Sequence, residues 1–177
     1  LRFPESETGP CLLLGEWCKL FGDRDRWAKI PHEVLPYHWD NRDVLLSAYG
    51  YLDRLYERVL AELSLNLNII HNVEHGSRYW RIVLGPWLFT FLVVLYDRYL
   101  SVQAAKASGK VSAVTISSKS KHVKVPYDLP EFSEWCVNDE YNDLLYGFLI
   151  ERVGGLPFEI EDRENDDIKP AVSRSSS

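Results

Sequence analysis

Apolar residues in the first half of the chain follow a helical spacing. Between residues 45 and 70 they recur every three or four positions, which is typical of the buried face of a long amphipathic helix. Asp40 or Asn41 is a suitable N-terminal cap, because both side chains accept hydrogen bonds from free backbone amides. The positions of this apolar stripe are Leu45, Tyr49, Leu52, Tyr56, Val59, Leu63 and Ile70.

Two further helices are predicted. One begins near Ser77 and continues to about Ala107, with a bend at Pro86, because proline removes a helical hydrogen bond. The other extends from Asn138 to Val153 and ends at a Gly-Gly pair, since glycine readily adopts the backbone conformation that terminates a helix.

Short apolar runs indicate strands between these helices. The run 11–14 is typical of a buried strand of a parallel sheet, and 111–116 alternates small polar with β-branched residues. We interpret residues 19–42 as an extended loop, long enough to suggest a functional role, and residues 117–135 as a second loop.

The order strand, helix, helix, strand, helix is typical of an α/β protein. We predict one domain over residues 1–160, which resembles the beginning of a Rossmann-like domain with few strands and large helical insertions. Residues 161–177 are acidic and serine-rich, and we expect them to be disordered. The chain has no Gly-x-Gly-x-x-Gly and no P-loop lysine motif, so we expect no self-contained dinucleotide or ATP site.

Composition narrows the function classes. A net charge of −6 disfavours general nucleic-acid binding, which needs a basic surface. Three cysteines in no metal-binding pattern suit reduced thiols in a reducing, cytoplasmic compartment. The apolar run 82–96 is shorter than the roughly 20 residues of a membrane span, so we expect a core helix. Because the chain begins with Leu1 and lacks methionine, we expect it to be a piece of a longer reading frame.

Glu16 is the first candidate for catalysis. It directly follows the first predicted strand, and ligands of open α/β sheets bind beyond the carboxyl ends of strands. Beside Trp17 and Leu14, its carboxyl group could have a raised pKa and act as a general base. The alternative is a surface glutamate or the partner of a helix cap.

The second candidate region precedes the first long helix. His38, Trp39, Asp40 and Arg42 combine an imidazole, an indole, a carboxylate and a guanidinium at a helix N-terminus, where anions are attracted. The alternative is a helix cap accompanied by aromatic packing.

The third candidate region begins the second long helix. Arg78 and Arg81 are three residues apart and share a helix face, so they could clamp a phosphate. The alternative is that they pair with carboxylates of the first helix, such as Glu57 or Glu62. A metal-dependent hydrolase using two nearby histidines, 71 and 75, is a weaker hypothesis, because the His-Glu-x-x-His order is absent.

These segments resemble a known family. The motifs are Leu-Leu-Gly-Glu-Trp-Cys at 13–18, Leu-Pro-Tyr-His-Trp-Asp-Asn-Arg at 35–42, and Arg-Tyr-Trp-Arg-Ile-Val-Leu-Gly-Pro-Trp-Leu at 78–88. Together they resemble a family of transferases encoded in bacterial O-antigen and surface-polysaccharide gene regions. The resemblance covers about residues 9–100. Within 137–159, Asn-Asp-Glu-Tyr-Asn-Asp is similar to a later segment of that family.

The resemblance implies a fold and an architecture. Family members are much longer and are distantly similar to two-Rossmann-domain (GT-B-type) glycosyltransferases and polyglycerol-phosphate transferases. It follows that this chain would be the N-terminal, Rossmann-like acceptor half, and that a C-terminal donor-binding domain would be its missing partner. The fragment would then be inactive alone. A role in envelope biosynthesis also leaves room for peripheral membrane association.

The resemblance also implies roles for the candidate residues. Glu16 would be the base that deprotonates a sugar or polyol-phosphate acceptor, and the donor would be a nucleotide-activated substrate, with no resident cofactor or metal. The remaining candidates would bind substrate, with guanidiniums holding acidic groups and tryptophans offering flat faces: Trp17, His38, Trp39, Asp40, Arg42, Arg78, Trp80 and Arg81. The competing hypothesis is a non-enzymatic α/β or helical module that binds partners through its aromatic surface.

Overall fold

The computed structural model describes residues 9–122 and 125–162, and over this range the chain is mixed α/β and mostly helical. Most of the predicted acidic tail, residues 163–177, lies outside the described residues. The elements in chain order are β1 (Cys11–Leu13), α1 (Arg24–Trp27), β2 (His32–Val34), α2 (Arg42–His71), α3 (Ser77–Ser108), β3 (Val114–Ser117), α4 (Leu129–Trp135), α5 (Asp139–Val153) and β4 (Phe158–Glu161).

Helices α2 and α3, both predicted from the sequence, pack against each other as an antiparallel hairpin. Asn41 caps α2, since its Oδ1 accepts hydrogen bonds from the backbone amides of Asp43 (3.0 Å) and Val44 (3.2 Å). At the other end, Asn72 adopts the left-handed conformation (φ 51°) that terminates the helix. With 30 residues, α2 is about 45 Å long.

The predicted apolar face of α2 is buried only in its middle. Leu52 and Leu60 pack against Trp80, Leu88 and Leu92 of α3 in one hydrophobic core. The end positions of the stripe were predicted to be buried, and this prediction is wrong: Leu45, Tyr49 and Ile70 are exposed. The reason is that α2 packs mainly against α3 and the turn that precedes α2. Helices α4 and α5 pack on α3 instead, so they do not cover the ends of the α2 stripe.

Helix α5 forms the second core. Its N-terminus is capped by Asn138, whose Oδ1 accepts from the amides of Glu140 (2.8 Å) and Tyr141 (3.2 Å). Behind this cap, α5 packs against α3 and β3. The side chains buried there include Val102, Ile116, Phe132, Tyr141, Leu145 and Tyr146.

The strands form two separate two-stranded sheets in the described residues. β1 pairs in parallel with β2, and β3 pairs in parallel with β4. The interpretation of residues 19–42 as an extended loop was wrong where α1 and β2 occur, and the loop predicted over 117–135 contains α4. Small parallel sheets are therefore present, and a Rossmann-like half is not confirmed.

By length and composition, α3 is the one helix of the described residues that could cross a membrane. This is weak evidence, because the core helix of a soluble protein passes the same test. The apolar run 82–96 lies inside α3, and the helix extends well beyond that run at both ends.

Candidate functional site

A buried carboxylate lies at the centre of the candidate site. Asp97 is on α3 and only 5% exposed, and aspartate is rarely buried without a partner. One carboxylate oxygen contacts the guanidinium of Arg98, and the other lies 3.1 Å from Nε2 of His38. The charge on Asp97 is therefore held between a cation and an imidazole.

Arg98 connects this carboxylate to the start of α5. Its Nε donates a hydrogen bond to Oδ1 of Asn142 (3.1 Å), and its Nη2 donates to the carbonyl of Cys136 (3.2 Å). Asn142 also donates to the carbonyl of Cys136 (3.0 Å). A planar guanidinium has donors in several fixed directions, so one side chain holds both Asp97 and the N-terminal region of α5.

His38 approaches Asp97 from the turn that precedes α2. The ring N–H at Nε2 is not aligned on Oδ1 of Asp97, so both buried atoms lack a hydrogen-bond partner among the described residues. Catalytic hydrogen bonds often have such loose geometry before a substrate binds. Burial lowers the pKa of His38 below its usual value, and the opposing effect of Asp97 is smaller. The imidazole is therefore neutral at pH 7.

Aromatic side chains enclose the pair. Burial and the nearby Asp97 carboxylate raise the pKa of Tyr37 to about 12. The edge of Trp17 meets Tyr37 with ring centroids 5.6 Å apart, and Trp39 lies 5.9 Å from Tyr37 on the same measure. On α5, burial raises the pKa of Tyr146 to about 12. Both tyrosines are therefore protonated at neutral pH.

The arrangement suits proton transfer. A neutral imidazole beside a buried carboxylate can accept a proton, and the carboxylate then stabilises the imidazolium that forms. We call the group formed by Tyr37, His38, Asp97, Arg98 and Asn142 the polar cluster.

The pKa of His38 predicts how stability depends on pH. Below about pH 6.5 the unfolded chain binds a proton at this histidine, whereas the folded protein resists protonation because its pKa is lower. The free energy of unfolding should therefore fall more steeply between about pH 7 and pH 5.5 in the wild type than in a His38→Gln variant. Urea denaturation at both pH values measures this difference. Equal slopes in the two proteins would contradict the prediction.

The structure places Glu16 near the cluster but in solvent. Its side chain is 76% exposed and lies 3.0 Å from Nζ of Lys19. The next residue, Trp17, contacts Tyr37, while Asp40 and Arg42 are exposed at the start of α2. The roles predicted for these residues stay predictions, and the structure adds that Glu16 has a cationic partner.

The arginine motif lies at the other end of the hairpin. Arg81 forms a two-point ion pair with Glu57 (2.7 and 2.6 Å), which is the alternative that the sequence left open for it. Trp80 is buried and donates from Nε1 to Oδ1 of Asn68 (2.9 Å). Arg78 is exposed. At the helical rise of about 1.5 Å per residue, it lies about 28 Å from Asp97 along α3.

No group of three or more His, Cys, Asp or Glu side chains within residues 9–122 and 125–162 is arranged to hold a metal ion. The two histidines of the hairpin loop contact aromatic rings instead. His71 stacks with Trp80 (centroids 6.3 Å apart) and His75 with Tyr79 (3.9 Å).

Sequence reasoning missed Asp97, Arg98, Asn142 and Tyr146. The available signal was the adjacent acid and base at 97–98, inside a helix that is otherwise apolar for many residues. Charged side chains in such a helix must be paired if they are buried. Asn142 also belongs to the segment that resembles a later part of the family.

A protein-family model described as "LIC12162 family transferase" matches residues 2–176, which is nearly the whole chain. The chain belongs to the LIC12162 family of transferases. No curated protein and no solved structure matches it. The family assignment confirms the coarser part of the predicted resemblance, a transferase family. Two of this transferase's three sequence motifs, 13–18 and 35–42, meet at the polar cluster, and the third does not.

Proposed function

We propose that this chain supplies the acceptor side of a glycosyl- or glycerophosphate-type transferase of surface-polysaccharide biosynthesis. The family name supports transfer chemistry. The observation that carries the proposal is the convergence of three separate segments on the polar cluster. The strand-end motif reaches it through the contact of Trp17 with Tyr37, the turn before α2 supplies His38, and the start of α5 joins it through Asn142.

The polar cluster offers a mechanism. His38 accepts the proton of an acceptor hydroxyl at Nδ1, and the Asp97 carboxylate, 3.1 Å from Nε2, stabilises the imidazolium that forms. The acceptor oxygen forms a bond to the transferred carbon or phosphorus. The bond from that atom to the leaving phosphate oxygen breaks, and its electron pair leaves with the nucleotide. Arg98 acts as a positioning residue, because its donors are engaged within the protein.

The remaining parts of the proposal come from the family resemblance. A C-terminal donor-binding domain completes the enzyme, and the present chain forms its Rossmann-like acceptor half at the cytoplasmic side of the envelope. Glu16 is the second candidate for the base. The geometry favours His38, because Glu16 is exposed and paired with Lys19.

A comparison of two variants tests the assignment of the base. In the full-length enzyme, His38→Gln should lower kcat about 100-fold or more, the usual contribution of general base catalysis. Glu16→Gln should leave kcat within about threefold of wild type, because a solvated glutamate contributes little to the barrier. The measurement is release of nucleotide from a panel of nucleotide-activated sugars, with thermal denaturation to check folding. The reverse pattern would assign the base to Glu16.

The end of the hairpin where α2 meets α3 favours a second function, the binding of a protein partner. The ion pair of Arg81 with Glu57 removes one guanidinium from the predicted phosphate clamp. Ile69, Ile82 and Val83 are also exposed in this region. These features suit a surface that binds a protein partner, so the hairpin end is a candidate interaction module within the transferase.

A further inference from the structure

An open groove lies between the first turns of α2 and the C-terminal half of α3. Its volume is about 330 Å³, within the range of small-molecule sites. The lining residues are Asp43, Val44, Ser47, Ala48, Tyr96 and Leu100. Tyr96 directly precedes Asp97, and Asp43 follows the His38 turn within a few residues. The groove and the polar cluster therefore lie at the same end of the hairpin, and no member of the cluster lines the groove.

A row of tyrosines extends from the groove. The rings of Tyr51 and Tyr96 have centroids 5.1 Å apart, and those of Tyr96 and Tyr99 are stacked at 6.0 Å. Burial raises the pKa of Tyr96, and the neighbouring Tyr51 and Tyr99 add to this effect. Tyr51 and Tyr99 are partly exposed. Tyr96 is the member of the row that lines the groove, and it supplies an aromatic ring and a hydroxyl group there.

The polar groups of the groove select the chemistry of a ligand. Neither the Asp43 carboxylate nor the Ser47 hydroxyl has a hydrogen-bond partner among the residues that the structure describes. The lining contains no basic side chain, so a phosphate would meet a like charge at Asp43. A neutral polyol instead donates its hydroxyl protons to the carboxylate. The C–H bonds of the polyol can then contact the aromatic ring of Tyr96.

We propose that this groove binds a neutral sugar ring of the acceptor, with Tyr96 as its aromatic contact and Asp43 and Ser47 as its hydroxyl partners. This inference rests on the proposed function and narrows it, because it favours a sugar acceptor over a polyol phosphate. His38 lies five residues before Asp43 in the chain, so the base and the groove belong to the same end of the hairpin.

The test is a ligand-observed NMR titration with methyl glycosides of glucose, galactose, mannose and rhamnose, and with glycerol 3-phosphate for comparison. The wild type should bind at least one glycoside more tightly than glycerol 3-phosphate. Tyr96→Ala and Ser47→Ala should each weaken that binding about tenfold. Tyr79→Ala is the matched control, because this partly exposed tyrosine lies on α3 at the far end of the hairpin.

Two kinetic readouts separate this inference from the proposed function. In the full-length enzyme, the groove variants should raise the KM for the acceptor about tenfold with little change in kcat, whereas His38→Gln should lower kcat and keep glycoside binding. If transfer occurs and the groove variants leave the KM unchanged, the groove inference is overturned and the proposed function stands. Tighter binding of glycerol 3-phosphate than of every glycoside also overturns the groove inference. Absence of both glycoside binding and transfer overturns both proposals.

Discussion

An Asp97→Ala variant should be less stable than the wild type by about 3–5 kcal/mol. Asp97 is 5% exposed, and its carboxylate is in contact with Arg98. Removing one partner of a buried ion pair leaves the other as an uncompensated charge, and this usually costs more than the pair contributes when intact. Chemical denaturation at pH 7 measures the change.

The control for this prediction is another ion pair of the same protein. Glu57→Ala removes the partner of Arg81, where both side chains are largely in solvent. Water and salt screen such pairs, so the stability of this variant should stay close to that of the wild type. Similar losses in Asp97→Ala and Glu57→Ala would show that the Asp97 carboxylate is not held in a poorly solvated environment.

A Phe132→Ala variant should lose about 3–5 kcal/mol of stability for a different reason. Phe132 is fully buried, with its ring 5.9 Å from Phe91 and 6.4 Å from Tyr141, measured between centroids. Its truncation leaves a cavity between α3, α4 and α5, in addition to the lost burial of the ring. Phe21→Ala is the matched control, because Phe21 is 86% exposed and its loss should change stability by about 0.5 kcal/mol or less. A loss below about 1 kcal/mol for Phe132→Ala would mean that the site collapses around the smaller side chain.

The long helices could be predicted because their signals are local. Asn41 and Asn138 bond the first amides of α2 and α5, and the glycines after Ser108 and Val153 have positive φ. Each of these signals depends on residues within one or two turns. The burial of the α2 stripe could not be predicted in the same way, because it depends on which elements pack over α2.

Two strands were missed because their context is not local. β2 and β4 are short, and β4 (Phe158–Glu161) is exposed along its length and carries acidic residues. Neither strand has the continuous apolar run of a buried strand, and the apolar/polar alternation of β4 covers only four residues. They form because the chain brings β1 and β3 alongside them, and a short sequence window does not contain this pairing.

The residues of the candidate site also divide into those with a local sequence signal and those without one. His38 was predicted, because an imidazole before a helix N-terminus is visible in the sequence. Its partner Asp97 was not, because the two residues are far apart in the chain and meet only through the packing of α2 on α3. Arg78 was expected to join them, but the length of α3 separates it from Asp97.

The three bonds of Arg98 have a consequence for how the site assembles. Its hydrogen-bond partners Asn142 and Cys136 are 44 and 38 residues away in the chain, and α5 must pack on α3 before these bonds can form. Contacts over such separations require large loops to close, and they are lost when the chain unfolds as a whole. The polar cluster therefore reports cooperative, global folding.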